Sequence, residues 1–177
     1  AEKSEYKGYK KTNSSDRELY EEAADEWDKS EELREYVPDH KIPLGIKTDS
    51  SQFEGNISGG HSLLRQGYSE WTDMYNDRQL LCLGKLLQAI DSLDDQNAKE
   101  FLLLAFSDGL RTNSMMAAYE TPTNKIDHIF RDNNFNPPLY PAENNVWGTV
   151  DGRGTFTAMW DMVRSGVEYA NAPTERY

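Results

Sequence analysis

Cysteine is almost missing from this chain. Cys82 stands alone, so no internal disulfide can form. Beside it are only His40, His61 and His128, and no pair has zinc-ligand spacing, which excludes structural zinc within these residues. Long apolar runs are missing too. The longest, from Phe101 to Phe106, falls far short of the roughly 18 residues that cross a bilayer. No charged-then-apolar segment opens the chain, so a soluble, cytoplasmic protein with no membrane partner is expected. The start at Ala1 without an initiator Met, and the end at Tyr177 just after a predicted helix, lead us to expect a piece of something longer.

Reaction signatures are equally scarce. No glycine-rich loop follows a predicted strand, no phosphate-cradling G-x-x-x-x-G-K occurs, and no Ser, His and Asp set stands out. Carboxylates are too many to single out a catalytic pair. The residues alone therefore assign no catalytic, cofactor-binding or metal-binding position.

What is present is enough to fold. Across 177 residues, 37% are hydrophobic and 11% aromatic, which opposes wholesale disorder even at a mean hydropathy of -0.84. Thirty-one acids against nineteen bases give a net charge of -12, a field that repels polyanions, so any DNA contact must be local. The imbalance is even: residues 1–70 hold 10 bases and 16 acids, and 71–177 hold 9 and 15. Such a surface suits a salt-rich cytoplasm, although ten lysines count against a strongly halophilic source.

Along the chain, residues 1–14 read as an extended arm. Ser15 and Asp16 offer an N-cap to a helix from Arg17 to about Tyr36, stopped by Pro38. Residues 16–35 hold ten acids and three bases, with only Leu19, Ala23, Ala24, Trp27 and Leu33 to bury, so this helix is expected at the surface or against a partner. The polar stretch 38–66 contains Pro38, Pro43 and four glycines and reads as a linker. We therefore divide the chain into arm, acidic helix and linker (1–66) and a helical core module (67–177).

In that module, Leu80, Leu81, Leu83, Leu87, Ile90 and Leu93 recur at helical spacing behind a cap at Asn76 or Asp77, with Gly84 a weak point. A second helix after Asp94 and Asp95 runs to about Tyr119. Apolar on nearly every side in its first half, it is expected to be the central buried helix. Lys125 to Phe130 reads as a short strand and residues 131–154 as loop. A last helix spans about Thr155 to Ala170, with Phe156, Met159, Trp160, Val163 and Val167 on one face. The predicted class is mainly α, with long irregular loops and at most a short β element.

Two loop motifs have alternative readings. Asn136-Pro137-Pro138-Leu139 resembles the Pro-Pro turn of amino-group methyltransferases, but Leu139 stands where an aromatic ring should stack and no apolar strand presents the turn. Gly152-Arg153-Gly154-Thr155 before a helix offers either a phosphate site or a tight turn capped by Thr155. Arg78, Arg131 and Arg153, with Asn144 and Asn145, are candidate DNA-contacting residues. Each arginine reads equally as a structural partner of one of the many carboxylates.

The stretch Gly67-Tyr68-x-x-Trp71-x-Asp73-Met74-Tyr75-x-x-Arg78-Gln79-Leu80-Leu81 resembles a block of the adenine-specific DNA methyltransferases that carry a zinc ribbon. Ala105-Phe106-Ser107, Asn113-Ser114-Met115, Glu143-Asn144-Asn145-Val146-Trp147-Gly148 and Gly152-Arg153-Gly154-Thr155-Phe156 resemble later segments of that family. The likeness covers about residues 67–157. In that family the cofactor glycines and ribbon cysteines lie earlier and the catalytic turn later, so the resemblance implies a middle segment without catalytic residues. S-adenosylmethionine is then expected for the parent protein and not for this segment. The implied partners are the rest of the methyltransferase and, through it, duplex DNA, which the segment helps to position. The other reading is a protein-interaction module that packs against a catalytic domain or another subunit of a restriction or phage-defence system, which requires an exposed apolar patch instead of a basic face.

Overall fold

The computed structural model describes residues 10–45, 48, 63–130, 137–149 and 152–174. The chain is mainly helical, with one short two-stranded antiparallel sheet. Helix α1 spans Ser14–Lys29, α2 Asp77–Asp91, α3 Gln96–Leu110 and α4 Phe156–Asn171. Strands β1 (Ala118–Glu120) and β2 (Lys125–Asp127) pair around a turn in which Asn124 takes a left-handed conformation. The strand expected over 125–130 thus stops at Asp127. None of the described helices is long and apolar enough to cross a membrane.

Helix starts follow side-chain capping. At α2, Asn76 accepts from the Gln79 N–H at 2.8 Å while Gln79 Oε1 accepts from the Asn76 N–H at 3.1 Å, satisfying two donors of the first turn reciprocally. Asp95 caps α3 in the same one-sided way as Thr155 caps α4. At α1 the cap is Asn13 rather than Ser15 or Asp16. Asp16 is the third helical residue and bonds back to the Asn13 N–H, which draws the start three residues earlier than expected.

Two helix ends differ from expectation. The acidic helix breaks at Ser30, whose hydroxyl donates to the Glu26 carbonyl at 2.8 Å, and residues Glu31–Tyr36 continue as a 3-10 turn. The second helix stops at Leu110, nine residues short of Tyr119. There the Asn113 side-chain amide donates to the Gly109 carbonyl at 2.7 Å and the Thr112 N–H at 3.2 Å, while the Asn113 N–H turns to the Leu110 carbonyl at 3.3 Å, so the last turn tightens instead of continuing the α-helix.

Helix α2, and not α3, is the central buried helix. Gln79, Leu80, Leu81, Leu83, Gly84, Leu86 and Ile90 are all buried along it. Each buried leucine contributes about 2 kcal/mol of apolar transfer. Trp27 and Leu33 pack on Leu80 and Leu81. Ala105, Phe156 and Met159 pack on Leu83, Leu86 and Ile90. Ile42, Leu63, Met74 and Met116 form a third cluster, and Tyr75 touches all three. The acidic helix and Leu63 therefore share a core with the residues after 66. The two parts meet closely at Gly84: a Cβ there would sit in ordinary contact, 3.4 Å from the Leu33 Cβ and 3.8 Å from the Trp27 ring.

In α3 only Ala105 and Gly109 are buried, whereas Phe101, Leu103 and Leu104 are 39%, 37% and 59% exposed. The near-continuous apolar run overfills the one face that α2 and α4 cover. We expect Leu33→Ala to lower the unfolding free energy in urea by about 2 to 4 kcal/mol. Leu104→Ala should stay within about 0.5 kcal/mol of the parent chain. Equal losses at the two positions would contradict this placement of the core.

Candidate nucleic-acid interface

Of the five residues expected to meet DNA, Arg131 lies outside the described residues, as does Asn136 of the Pro-Pro turn. Arg78 projects from the first turn of α2 into a two-pronged bond with Glu143: Nε donates to Oε1 at 2.7 Å and Nη2 to Oε2 at 2.8 Å. The Tyr20 ring lies 5.2 Å from its guanidinium carbon. Glu143 hydrogen bonding strengthens the arginine's hold on its proton, so Arg78 stays charged.

Asn144 and Asn145 are committed to backbone. Asn144 Nδ2 donates to the Arg153 carbonyl at 2.9 Å and Asn144 Oδ1 accepts from the Asn145 N–H. Asn145 Oδ1 accepts from the Gly148 N–H at 2.8 Å. The two amides thus shape the 143–148 turn and fasten it to the loop before α4.

That loop is held from the other side as well. The Gly154 carbonyl accepts from the Thr112 hydroxyl at 2.7 Å and from the Asn113 amide at 2.8 Å, both buried. Gly154 sits at φ +70, and a Cβ there would fall within 2.8 Å of three atoms of the Thr112 side chain. Only glycine fits both demands.

The phosphate reading of residues 152–155 meets a direct test at the α4 N-terminus. The Phe156 N–H donates to the Val146 carbonyl and the Thr157 N–H to the Trp147 carbonyl, each at 2.9 Å, while Ala158 N–H points to Thr155 Oγ1 at 3.4 Å. The first-turn donors that an anion would need are occupied, and the tight-turn alternative describes this segment. Arg153 pairs with no carboxylate among the described residues and is the one candidate whose side chain remains uncommitted.

The sequence reading missed two cations. Lys10 and Arg17 line a groove with Arg78 at the start of α1. Their signal was visible in the sequence as bases, with Lys11, at the head of an otherwise acidic helix. The groove is nevertheless not a basic face. Lys10 bonds Asp16 at 2.7 Å, and with Glu21 and Glu143 the three cations meet three carboxylates. Among the described residues no group of three His, Cys, Asp or Glu side chains is placed to hold a metal ion.

Asp73, in the Trp71-x-Asp73 block, fastens the turn that leads into α2. Its Oδ2 accepts from the Ser69 and Glu70 N–H groups at 2.6 and 2.9 Å and from the Ser69 hydroxyl at 3.1 Å. These bonds, the one from Glu70 foremost, hold its carboxyl below the usual carboxylate range. The segments Trp71-x-Asp73, Arg78-Gln79, Asn113-Ser114, Glu143-Asn144 and Gly152–Thr155 thus serve caps, turns and cross-links of one hydrogen-bonded framework.

No protein-family model matches this chain, and neither a curated protein nor a solved structure shows a significant likeness to it.

Gly154→Ala should cost about 2 to 4 kcal/mol in urea unfolding, because it adds both left-handed strain and overlap with Thr112. Acid should act through Asp73. Its folded pKa lies below the unfolded value of about 3.9, so its contribution is complete above that pH and fades as pH falls through the folded value. Between pH 5 and pH 3 the urea midpoint of Asp73→Asn should therefore drop less than that of the parent; parallel curves would refute the assignment.

Proposed function

We propose that this chain is a non-catalytic helical module of an S-adenosylmethionine-dependent, adenine-specific DNA methyltransferase, and that it works by packing against that enzyme's catalytic part. The methyl donor and the transfer chemistry belong to the rest of the parent enzyme, and duplex DNA is reached through it. The family assignment rests on the sequence blocks between residues 67 and 157. The packing role rests on one observation, the outer face of α3, where Phe101, Leu103 and Leu104 stand exposed on a helix that is apolar nearly all round. A helix of that composition gains stability only where all its faces are covered, and α2 and α4 cover one.

Several features weigh against direct DNA reading. The net charge of -12 opposes phosphate binding, Arg78 is spent on Glu143, and Asn144 and Asn145 are spent on backbone. Arg153 is what supports the alternative, in which the loop before α4 helps to position the duplex. A single arginine supplies little of the counterion release that tight DNA binding needs.

The test compares Leu104→Lys and Arg153→Ala in the full methyltransferase and in this chain. We expect Leu104→Lys to reduce adenine methylation and the co-migration of this module with the catalytic part at least tenfold, with the isolated chain's melting temperature unchanged. Arg153→Ala should leave methylation within twofold. If Arg153→Ala instead lowers affinity for a 30-base-pair duplex and flattens its salt dependence while Leu104→Lys does nothing, DNA positioning is the role.

A further inference from the structure

An apolar cavity of about 320 Å³ lies where the three core clusters meet, between the 3-10 turn after α1, the Trp71–Met74 turn, α2, α3 and residues 129–130. Its walls are aromatic and aliphatic, among them Tyr36, Trp71, Tyr75, Leu83, Phe106 and Ile129. Phe130 lines it and is 55% exposed, which marks the mouth. In a chain with 28% charged residues, no charged side chain among the described residues lines it.

The cavity is open to solvent at the Phe130 side, so its apolar walls go without the dispersion contacts that close packing would give them. A cavity of about 150 Å³ lined by apolar side chains admits one benzene ring, so this one has room for two fused rings. An ionic guest would be desolvated with no counter-charge from the described lining residues, at a cost of several kcal/mol, which favours a neutral guest over nucleotides and other anions. Two lining residues, Tyr75 and Thr72, carry hydroxyls that make no hydrogen bond among the described residues, whereas the Tyr36 hydroxyl is engaged with Asp91. Burial pushes the Tyr75 hydroxyl up from its ordinary pKa, so it stays a neutral donor. An apolar pocket with few unspent polar groups is the usual make-up of a small-molecule site.

We propose that this cavity binds a neutral, flat molecule of about two rings bearing a hydrogen-bonding group that meets the Tyr75 hydroxyl. The site is separate from the outer face of α3, so its occupancy does not depend on the packing role. A ligand there would touch Trp71, Tyr75, Leu83 and Phe106 together and so tie the three clusters to one another. Bound ligand adds to stability in proportion to its saturation of the folded state.

The probes are 2-naphthol and naphthalene, titrated into the whole chain by calorimetry, with amide NMR shifts followed at Thr72 and Gly84. We expect saturable one-to-one binding of both, shifts confined to the cavity, and a raised melting temperature. Val37→Trp, which fills the wall from the 3-10 side, should weaken both probes at least tenfold; if that variant does not fold, Thr72→Trp makes the same test. Tyr75→Phe should weaken 2-naphthol about fivefold, the worth of one hydrogen bond, and leave naphthalene within twofold. Leu104→Lys should change neither. Binding that does not saturate, that survives the filling variants, or that is lost with Leu104→Lys would overturn the site. An equal effect of Tyr75→Phe on the two probes would overturn the part given to its hydroxyl.

Discussion

Everything in this fold depends on burying α2 with neighbours that have little apolar surface to offer. The helix turns buried residues in several directions, yet α1 contributes mainly Trp27, and the segments around residue 42 and residue 115 contribute single side chains. Three small clusters therefore replace one large core. They meet at Tyr75, the residue just before the α2 cap. Where three modest clusters abut, their edges do not close completely, and the 320 Å³ cavity occupies that junction.

Because apolar contact is thin, polar cross-links carry much of the positional information. Arg78 to Glu143, Asn144 to the Arg153 carbonyl, and Thr112 with Asn113 to the Gly154 carbonyl fasten the 143–148 turn and the loop before α4. The Arg78–Glu143 pair is half-buried and the bonds to the Gly154 carbonyl are buried, so these are costly to break singly, since each leaves a partner unsatisfied. They also consume the side chains that, read one at a time, looked available to nucleic acid. Arginine and asparagine in loops are ambiguous for this reason: the chemistry that grips a phosphate or a base edge equally grips a carboxylate or a carbonyl.

The apolar surplus of α3 has the opposite character. Its sequence supplies more hydrophobic side chains than α2 and α4 can cover, and the excess faces outward at Phe101, Leu103 and Leu104. The chain's net charge of -12 works against self-association through such a patch. Under the proposed reading its partner is the catalytic part of the same enzyme, and the hydrogen-bonded framework holds α3 still enough to present the face.

The amino-acid sequence by itself determined the mainly helical class and a cap of α2 at Asn76 or Asp77, and it offered the Thr155 cap with a tight turn as one of two readings of the segment before α4. These follow from local rules: apolar spacing near 3.6 residues, and short polar side chains that reach the first free N–H groups. It did not determine that α1 breaks at Ser30 or that α3 stops at Leu110, because Ser30 and Asn113 act there through side-chain bonds to carbonyls, one to Glu26 and one to Gly109. Nor did it show which apolar helix is buried. Periodicity measures how much hydrophobic surface a helix has, whereas burial depends on which neighbours arrive to cover it, and only the tertiary structure brings Leu33, Trp27 and Phe156 onto α2 while leaving one side of α3 bare. The fate of Arg78 was decided in the same way, by a carboxylate 65 residues along the chain.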